Sequence, residues 1–383
     1  MSDTRKTTKP NVPNLRFPGF EGEWDKLKVR DFTRVVAGAT PATDKKEYWG
    51  GVIRWMNSGE LNLKRVYEVQ GRITQLGYDK TSTKIIPPHS VLIGLAGQGK
   101  TRGTAAMNYV ELCTNQSIAS ILPSDSFYSE FLYQNVESRY KELRDISSGD
   151  GGRGGLNLQM IYNLYIPHCS MQEQKKIGDF LYLLDQRIAI QNKVIEKYES
   201  LIKALRHHLF STLESVKEVP VADLLSYEQP TKYIVSDTEY SNNTDLTPVL
   251  TANKAFILGY TDEVEGIYDK GPCIILDDFT LDFKIVEFPF KVKSSAIKIL
   301  SAKTTVSLRY IFEYLKFLDL NTEEHKRHYI AEIEPMSIEL PEEDTIKSIA
   351  FLFDLMDKRR KGLERDQQLL KSQKDYLLRE IFI

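Results

Sequence analysis

Two long stretches of the chain repeat apolar positions every seven residues. They cover residues 171–212 and 345–383, and neither contains a proline. An average spacing of 3.5 residues keeps one seam of a helix facing a partner, which is typical of a coiled coil. The predicted seam of the first helix contains Leu184, Ile188, Ile195, Tyr198, Ile202 and Leu205. The predicted seam of the second helix contains Met356, Leu363, Leu370 and Leu377.

The two helical stretches are copies of one another. Aligning Asp185 with Asp357 superposes the apolar positions and also Arg187 on Arg359. Each copy follows a longer stretch of short β-branched and aromatic runs, broken by Gly, Pro, Asn and Asp, which is typical of mixed α/β domains. The sequences near the starts of these two stretches are weakly similar, at 29–32 and 221–224. If a pseudo-twofold axis relates the two halves, the helices must pack antiparallel.

The predicted fold is therefore of the α+β class, with two α/β domains joined by two long antiparallel coiled-coil helices in an internal duplication. The predicted order is a disordered N-terminus, a first domain, a first helix, a second domain and a second helix. The corresponding ranges are 1–14, 15–168, 169–215, 216–338 and 339–383.

Composition limits the classes of function. Lys+Arg (51) and Asp+Glu (53) nearly cancel, so a polyanion would have to meet local basic patches. The three cysteines are isolated and odd in number, which excludes a Cys-only zinc site and argues against a disulfide scaffold. No run of about 18 apolar residues and no signal-peptide pattern occurs, so we expect a cytoplasmic protein without a membrane partner.

The segment Gly94–Thr101 matches the phosphate-binding pattern G-x-x-x-x-G-K-[ST]. An NTPase needs a helix directly after this loop, whereas Arg102-Gly103-Thr104 and a strand-like run follow here. The apolar run at 273–278, which ends in two acids, also lies in the other half of the duplication. An NTPase is therefore only an alternative. A surface hairpin loop and a DNA-phosphate contact are equally favoured, the latter through Gln98, Lys100 and Arg102.

Polar side chains surround the turn that follows a predicted strand at 52–56. Arg54, Asn57 and Ser58 are of the types that hydrogen-bond base edges in the major groove, although a capped turn would use the same residues. Thr251, Asn253 and Lys254 occupy the analogous place in the second half. Further candidate DNA contacts are Arg153, in a glycine-rich loop, and Lys291 and Lys293, on a basic stretch.

Metal-dependent chemistry has weak support. Asp277, Asp278 and Asp282 loosely resemble an acidic nuclease site, but the pattern is short and common. His325 and His328 could share a helical face, yet two histidines without a third ligand are more often surface residues. We expect no catalytic residue, no metal and no cofactor in this chain.

The whole pattern resembles the DNA-specificity (S) subunit of type I restriction–modification systems. The strongest local marker is the run from Gln172 to Ile188, which is similar to the family motif EQ..I..FL..LD..I at the start of the central helix. The second copy departs from the motif, because Leu340-Pro341-Glu342-Glu343-Asp344 lacks the Glu-Gln pair. The resemblance extends from about residue 15 to residue 383.

This resemblance implies a non-catalytic subunit. Each globular domain would be a target recognition domain that reads one half of a bipartite, asymmetric site in double-stranded DNA. The helices would set the gap between the halves and dock two modification (M) subunits, which methylate adenine with S-adenosylmethionine. Restriction (R) subunits would add cleavage that uses ATP and Mg²⁺. A coiled-coil scaffold with two protein-binding domains is the rival, and it would lack a salt-dependent affinity for DNA.

Overall fold

The computed structural model describes residues 11–97, 99–147, 155–251, 256–320 and 328–382. The chain divides into two compact units, which we describe separately. Unit 1 contains residues 1–191 and 366–383, and unit 2 contains residues 192–365.

The described part of unit 1 contains ten short strands and five short α-helices, followed by a long helix that continues into unit 2. The strands are β1 (Asp25–Lys28), β2 (Val35–Ala37), β3 (Trp49–Met56), β4 (Arg65–Val66), β5 (Arg72–Ile73), β6 (Val91–Gly94), β7 (Ala105–Asn108), β8 (Cys113–Thr114), β9 (Ile118–Ile121) and β10 (Tyr165–His168). The helices are α1 (Val29–Phe32), α2 (Gln75–Asp79), α3 (Ser129–Ser138), α4 (Tyr140–Ile146), α5 (Leu158–Tyr162) and the long α6 (Met171–Ser211).

Unit 2 repeats this plan, with fewer elements among its described residues. Its strands are β11 (Lys217–Pro220), β12 (Leu225–Glu228), β13 (Thr247–Leu250), β14 (Ile257–Thr261), β15 (Cys273–Asp277), β16 (Phe283–Val286), β17 (Lys291–Val292), β18 (Ile297–Ala302) and β19 (Ser337–Leu340). Its helices are α7 (Val221–Leu224), α8 (Leu308–Phe317) and the long α9 (Glu343–Ile381), which ends in unit 1.

The sheets of the two units share one topology. In unit 1 the strands pair in the orders β2-β9-β6-β7-β4 and β5-β3-β8, and in unit 2 in the orders β12-β18-β15-β16 and β14-β13-β17. The β3–β8 and β13–β17 pairs are both parallel, while β3–β5 and β13–β14 are antiparallel. Unit 1 differs mainly by adding β4 as a parallel edge strand. The duplication expected from the helices therefore extends to the globular parts.

The weak sequence similarity between the starts of the two domains corresponds to a shared local structure. β1 pairs antiparallel with β10, the strand before α6, and β11 pairs antiparallel with β19, the strand before α9. The four-residue helices α1 and α7 follow directly, at the two stretches whose sequences echo. Each domain thus starts and ends on one two-stranded ribbon, which delivers the chain into a long helix.

The long helices belong to the cores of both units. In unit 1, Leu181 of α6 and Leu377 of α9 join the core cluster of the sheet, while in unit 2 Phe210 and Phe353 do the same. The first part of α6 pairs with the last part of α9 in unit 1, where Asp185 contacts Lys374. In unit 2 the last part of α6 pairs with the first part of α9, where Phe210 stacks on Phe353, so the two helices run antiparallel. The antiparallel coiled coil predicted from the sequence is confirmed.

One glycine lets α6 approach α3 closely. A Cβ atom at Gly178 would lie 3.0 Å from the Phe131 backbone nitrogen and 2.9 Å from the Tyr128 ring. The aligned residue in the second copy is Ala350, which is buried. A small residue at this position brings the first turns of each long helix against the domain that precedes it.

The N-terminal segment is packed from Asn11 onward, where the Trp24 amide donates to the Asn11 carbonyl at 2.8 Å. The rest of the segment predicted to be disordered lies outside the described residues. Among the described helices, none combines the length and the apolar character that a membrane crossing requires.

Candidate nucleic-acid interface

Four connections of unit 1 emerge at one edge of its two main sheets, which we call the loop edge. They follow β2, β3 and β6 and precede β9. The strand ends meet there because Ala37 is paired with Ala119, and Gly94 with Ile118. Hydrogen bonds join the loops themselves: the Leu95 amide donates to the Ser117 carbonyl at 2.8 Å, and Thr40 donates to the Gln116 side chain at 2.6 Å. The second sheet contributes the turn after β3, since the Asn115 amide donates to the Met56 carbonyl at 3.1 Å.

The glycine-rich segment forms a β-hairpin loop at this edge. It connects the antiparallel strands β6 and β7, and Gly103 donates its amide to the Gly94 carbonyl at 2.8 Å. Gly97 and Gly103 adopt positive φ angles of 118° and 80°, which favour glycine. No helix follows Thr101, so no helix N-terminus faces the loop, and this geometry excludes the phosphate-binding arrangement of NTPases.

Helix α4 holds this loop through the loop's backbone. Arg144 donates to the Gly99 carbonyl at 2.7 Å, and the Tyr140 hydroxyl donates to the Lys100 carbonyl at 3.3 Å. The Lys100 side chain is exposed, and no acidic side chain among the described residues pairs with it. Arg102 is half-buried, and its carbonyl also accepts a bond from Arg144. The loop therefore presents an accessible cation on a fixed backbone, a geometry suited to a phosphate.

Arg54 lies at the surface on β3 and is paired with an acid. Its guanidinium donates to Glu68 at 3.0 Å, and Arg72 reaches the same carboxylate at 2.8 Å. The hydrogen bond from Arg54 lowers the pKa of Glu68 to about 2. A base contact by Arg54 would have to compete with this carboxylate.

Asn57 and Ser58 form the capped turn that the sequence left as an alternative to base readout. The Asn57 side chain accepts from the Gly59 amide at 2.8 Å and donates to Glu60 at 2.9 Å. This arrangement caps the short 3-10 helix Ser58–Leu63. The Asn57 amide is thus already occupied, although the residue is exposed at the loop edge.

Sequence reasoning missed Gln116, an exposed side chain in the short connection between β8 and β9. No local pattern marks it, because its position depends on the pairing of β9 with both β2 and β6. Gln side chains bind adenine edges in a bidentate manner, so Gln116 is a base-reading candidate of the type sought at Asn57. The predicted contacts Gln98 and Arg153 lie outside the described residues.

Unit 2 has a loop edge built in the same way. Thr251 follows β13, as Asn57 follows β3, so the predicted analogy between the two positions holds for this residue. Thr251 is buried, however, with 6% of its surface exposed. Lys293 is exposed beside it, where its amide donates to the Leu250 carbonyl at 2.9 Å. Asn253 and Lys254 are outside the described residues.

Lys291 corrects one sequence-based assignment. Its side chain is only 4% exposed and pairs with Glu263 at 2.7 Å, and its ammonium also donates to the Glu265 carbonyl at 2.6 Å. The hydrogen bond from the Lys291 ammonium lowers the pKa of Glu263. Because its ammonium is buried and paired, Lys291 stabilises the fold and cannot reach DNA in this structure. The sequence did not reveal this, because the acidic partner is distant along the chain and the local hydropathy pattern gives no sign of it.

The acids of the nuclease alternative have structural roles. Asp277 accepts from the Phe279 amide at 2.9 Å in the turn after β15, and Asp278 is buried and accepts from the Tyr329 amide at 2.9 Å. Asp282 pairs with Lys284 and Lys316, both at 2.7 Å. Within the described part of the chain, no group of three or more His, Cys, Asp or Glu side chains could hold a metal ion.

Of the two histidines considered as metal ligands, one lies among the described residues. His325 lies outside the described residues. His328 is buried, and its Nδ1 lies 2.8 Å from a Glu332 oxygen.

The predicted seam is covered along both helices. All ten seam residues are buried or half-buried: Leu184, Ile188, Ile195, Tyr198, Ile202, Leu205, Met356, Leu363, Leu370 and Leu377. The Glu-Gln pair of the motif has a separate role. Glu173 binds the Arg16 guanidinium at 2.7 and 2.8 Å, and Gln174 accepts from the Tyr128 amide at 2.9 Å. The motif thus ties the start of α6 to the N-terminal segment and to the entry of α3.

Comparison with known protein families agrees with this architecture. The family model for the type I restriction modification DNA specificity domain matches residues 21–200. The chain is 43% identical over 132 residues to the type I restriction enzyme EcoR124I/EcoR124II specificity subunit of Escherichia coli. It is 32% identical over 200 residues to the MjaIX specificity subunit of Methanocaldococcus jannaschii. The resemblance seen in the sequence is confirmed.

These alignments are partial. They cover 33% and 51% of this chain, and they span 32% and 45% of the two relatives. The chain thus matches less than half the length of either relative.

Two solved structures share the fold over nearly the full length. The S subunit of a type I restriction–modification system from M. genitalium superposes with a TM-score of 0.63 and 15% identity, covering 97% of this chain and 99% of that one. A structure described as the basis of complex assembly and conformational transition of the type I R-M system gives a TM-score of 0.54 at 14% identity. It covers 95% of this chain and 97% of that chain.

Proposed function

We propose that this chain, which belongs to the type I restriction–modification DNA specificity family, is the sequence-reading subunit of such a system. Each unit reads one half of a bipartite, asymmetric site in double-stranded DNA through its loop edge. The chain itself performs no chemistry. It directs adenine methylation by two M subunits, which bind S-adenosylmethionine, and cleavage with R subunits, which use ATP and Mg²⁺.

The observation that carries this proposal is the pair of loop edges on one repeated scaffold. The strand orders of the two units match, but the loops that follow equivalent strands differ in length and in side chains. A duplicated scaffold with unlike loops is what two different half-sites require, because base readout depends on the side chains presented and not on the sheets beneath.

The helices supply the second part of the proposal. Both α6 and α9 continue from one unit into the other, so their length is a natural ruler for the gap between half-sites. Large apolar side chains remain exposed along them, among them Leu183, Ile190, Phe351 and Leu355. Exposed apolar surface of this kind fits a protein partner, which we assign to the M subunits.

Methylome sequencing tests the proposal directly. We expect a host that carries this gene and its M-subunit gene to methylate adenine in one bipartite motif, and the motif to disappear when this gene alone is deleted. Methylation that persists unchanged after the deletion would refute the proposed role.

Two measurements on the purified chain separate the rivals. A protein-binding scaffold predicts DNA binding that is absent or independent of salt, whereas phosphate contacts make affinity fall steeply as salt rises. An NTPase predicts ATP hydrolysis that is lost on Lys100→Ala. We expect salt-dependent DNA binding and no hydrolysis, because no helix follows the glycine-rich loop.

A further inference from the structure

A single carboxylate in unit 1 joins the recognition domain to both long helices. Asp185 of α6 accepts from Arg65 of β4 at 2.7 Å and from Gln134 of α3 at 2.7 Å through Oδ2. Its other oxygen, Oδ1, accepts from Lys374 of α9. Lys374 in turn donates to Glu137 of α3 at 2.9 Å. The sheet, the domain helix and both long helices therefore meet at one side chain.

Arg65, the arginine in this cluster, contacts a carboxylate and two aromatic rings. Its two terminal nitrogens bind the two oxygens of Glu130 at 2.6 and 2.7 Å. The guanidinium also lies 5.0 Å from the ring centroid of Tyr133 and 4.5 Å from that of Tyr182. A planar guanidinium that is bidentate and stacked has one orientation, which a lysine could not reproduce.

The cluster is charge-balanced despite its burial. Its three cations are Arg65, Lys374 and Lys64, and its three carboxylates are Asp185, Glu130 and Glu137. Burial raises the pKa of Asp185, but Lys374, Arg65 and Gln134 outweigh it and keep that pKa below its usual value. Burial lowers the pKa of Lys374, and the charges of Glu137 and Asp185 reverse the shift. Asp185, Lys374 and Arg65 therefore remain ionised at neutral pH.

The second unit places its arginine on a different element. Asp357, which aligns with Asp185, lies 3.7 Å from Arg309 of α8, and Arg309 also donates to Asp354 at 2.6 Å. Here the domain helix supplies both the arginine and a glutamate, Glu313, which pairs with Arg206 of α6 at 2.7 Å, whereas in unit 1 the sheet supplies the arginine. The residue that aligns with Lys374 is Ile202, which packs against the apolar core of unit 2.

We propose that Asp185 is a positioning residue that fixes the recognition domain of unit 1 on the helical ruler and so sets the half-site spacing that the complex accepts. This inference rests on the proposed function. Replacing a whole buried ionic cluster with apolar residues often costs little stability, and in some proteins such a cluster selects one arrangement over its neighbours. The described hydrogen-bond partners of Asp185 are Arg65, Gln134 and Lys374, and none of them lies at the loop edge, so Asp185 affects spacing and not base identity.

The test uses the full chain with its own M subunits in cells. The substrates are plasmids that carry both half-sites with the native spacer and with spacers one base pair shorter or longer. The readout is the ratio of methylation at the native spacer to methylation at the altered spacers. Thermal melting of each purified variant accompanies it.

Three variants and one control separate positioning from folding. Asp185→Asn removes the central charge. Asp185→Asn with Lys374→Ile removes one charge of each sign and introduces the residue found at the aligned position of unit 2. Arg65→Lys keeps the charge but loses the bidentate fork. Asp375→Asn is the matched control, because Asp375 is an exposed carboxylate next to Lys374 in sequence.

We expect Asp185→Asn to lower the melting temperature and to reduce spacer discrimination by about tenfold or more, the equivalent of one charge-assisted hydrogen bond. The double variant should recover much of the melting temperature yet remain permissive for spacing. Arg65→Lys should reduce discrimination less, and Asp375→Asn should change neither property. The methylated half-sites should stay the same in every variant.

Two outcomes would overturn the inference. If the double variant folds and discriminates spacers as the wild type does, Asp185 contributes to stability alone. If Arg65→Lys also leaves discrimination intact, the cluster does not position the domain. A wild-type chain that directs no bipartite methylation at all is a different result, because it would refute the proposed function itself.

Discussion

The two units share one strand order but differ in the loops that connect the strands. The connection between β6 and β7 in unit 1 is a glycine-rich loop over residues 95–104, held by α4 and carrying the exposed Lys100. The equivalent connection between β15 and β16 covers only residues 278–282, and Asp277 closes it by accepting the Phe279 amide. The difference shows that the strand order tolerates loops of unlike length at the edge where we place DNA recognition.

The units also differ where the domains meet the long helices. Gln174 is buried and bonds to the backbone around Tyr128 in unit 1, whereas the aligned residue in unit 2 is the apolar Ile346. Polar contacts have direction, and apolar contacts are more permissive. At this position, directional hydrogen bonds hold the start of α6, whereas apolar contacts hold the start of α9.

The largest expected effect comes from lengthening the ruler on which both units stand. One added heptad in each long helix keeps the apolar seam in register. It lengthens each helix by about 10.5 Å, at ~1.5 Å per residue. Since DNA rises about 3.4 Å per base pair, the methylated motif should gain roughly three base pairs in its spacer.

Methylome sequencing reads this result, and the half-sites serve as the internal control because no residue of either loop edge is changed. The added base pairs also rotate one half-site about the duplex axis, so total activity can fall while the motif still reports the spacing. An unchanged spacer at full activity would show that the helices are not the ruler.

The next effect distinguishes the cores of the two units. Phe353 of α9 is fully buried in unit 2 and stacks on Phe210. We expect Phe353→Ala to destabilise unit 2 by about 3–5 kcal/mol. All three tryptophans, Trp24, Trp49 and Trp55, lie in unit 1, so their fluorescence reports on that unit alone.

Denaturant titration should then show the circular dichroism transition moving to lower denaturant in Phe353→Ala. The tryptophan transition should shift by no more than ~0.5 kcal/mol, as for independent sites. Leu181→Ala, at the aligned position in unit 1, is the matched control and should move the tryptophan signal. Equal shifts of both signals in both variants would mean that the units unfold together.

The helices and the duplication were predictable because their signals are local or repeated. The predicted stretches 171–212 and 345–383 correspond to α6 (Met171–Ser211) and α9 (Glu343–Ile381). The match between Val29–Phe32 and Val221–Leu224 marked two equivalent helices after equivalent strands. A seven-residue period and an internal alignment need no knowledge of contacts between distant residues.

The side chains of the candidate interface were less predictable because their surroundings come from distant parts of the chain. Lys291 and Lys293 look alike in the sequence, yet Lys291 is buried in an ion pair with Glu263, whereas Lys293 is exposed. Gln116 reaches the loop edge only because β9 lies between β2 and β6. Charge and residue type alone identify candidates, whereas strand pairing decides which of them face solvent together.

A smaller effect would sharpen the contrast between the loop edges. Gln116→Ala in unit 1 removes a side chain of the type that reads adenine, and the loss of one bidentate contact costs about 1–3 kcal/mol of base discrimination. We expect relaxed preference at one position of one half-site, measured by methylation of plasmids with single-base changes. The other half-site is the control. Relaxation in both halves, or in neither, would contradict the assignment of Gln116 to the reading surface of unit 1.

The smallest expected effect separates two neighbouring lysines of unit 2. Lys293 is exposed at the loop edge, so Lys293→Ala should remove one phosphate contact and reduce the salt slope of DNA affinity by about 0.9, roughly a 3.5-fold smaller loss between 50 and 200 mM salt. Fluorescence titrations of a DNA duplex with the assembled complex at several salt concentrations measure this slope. Lys291→Met is the control, because that buried ammonium holds Glu263: it should lower the melting temperature and leave the slope unchanged. A slope that falls with Lys291→Met but not with Lys293→Ala would place the DNA on another surface of unit 2.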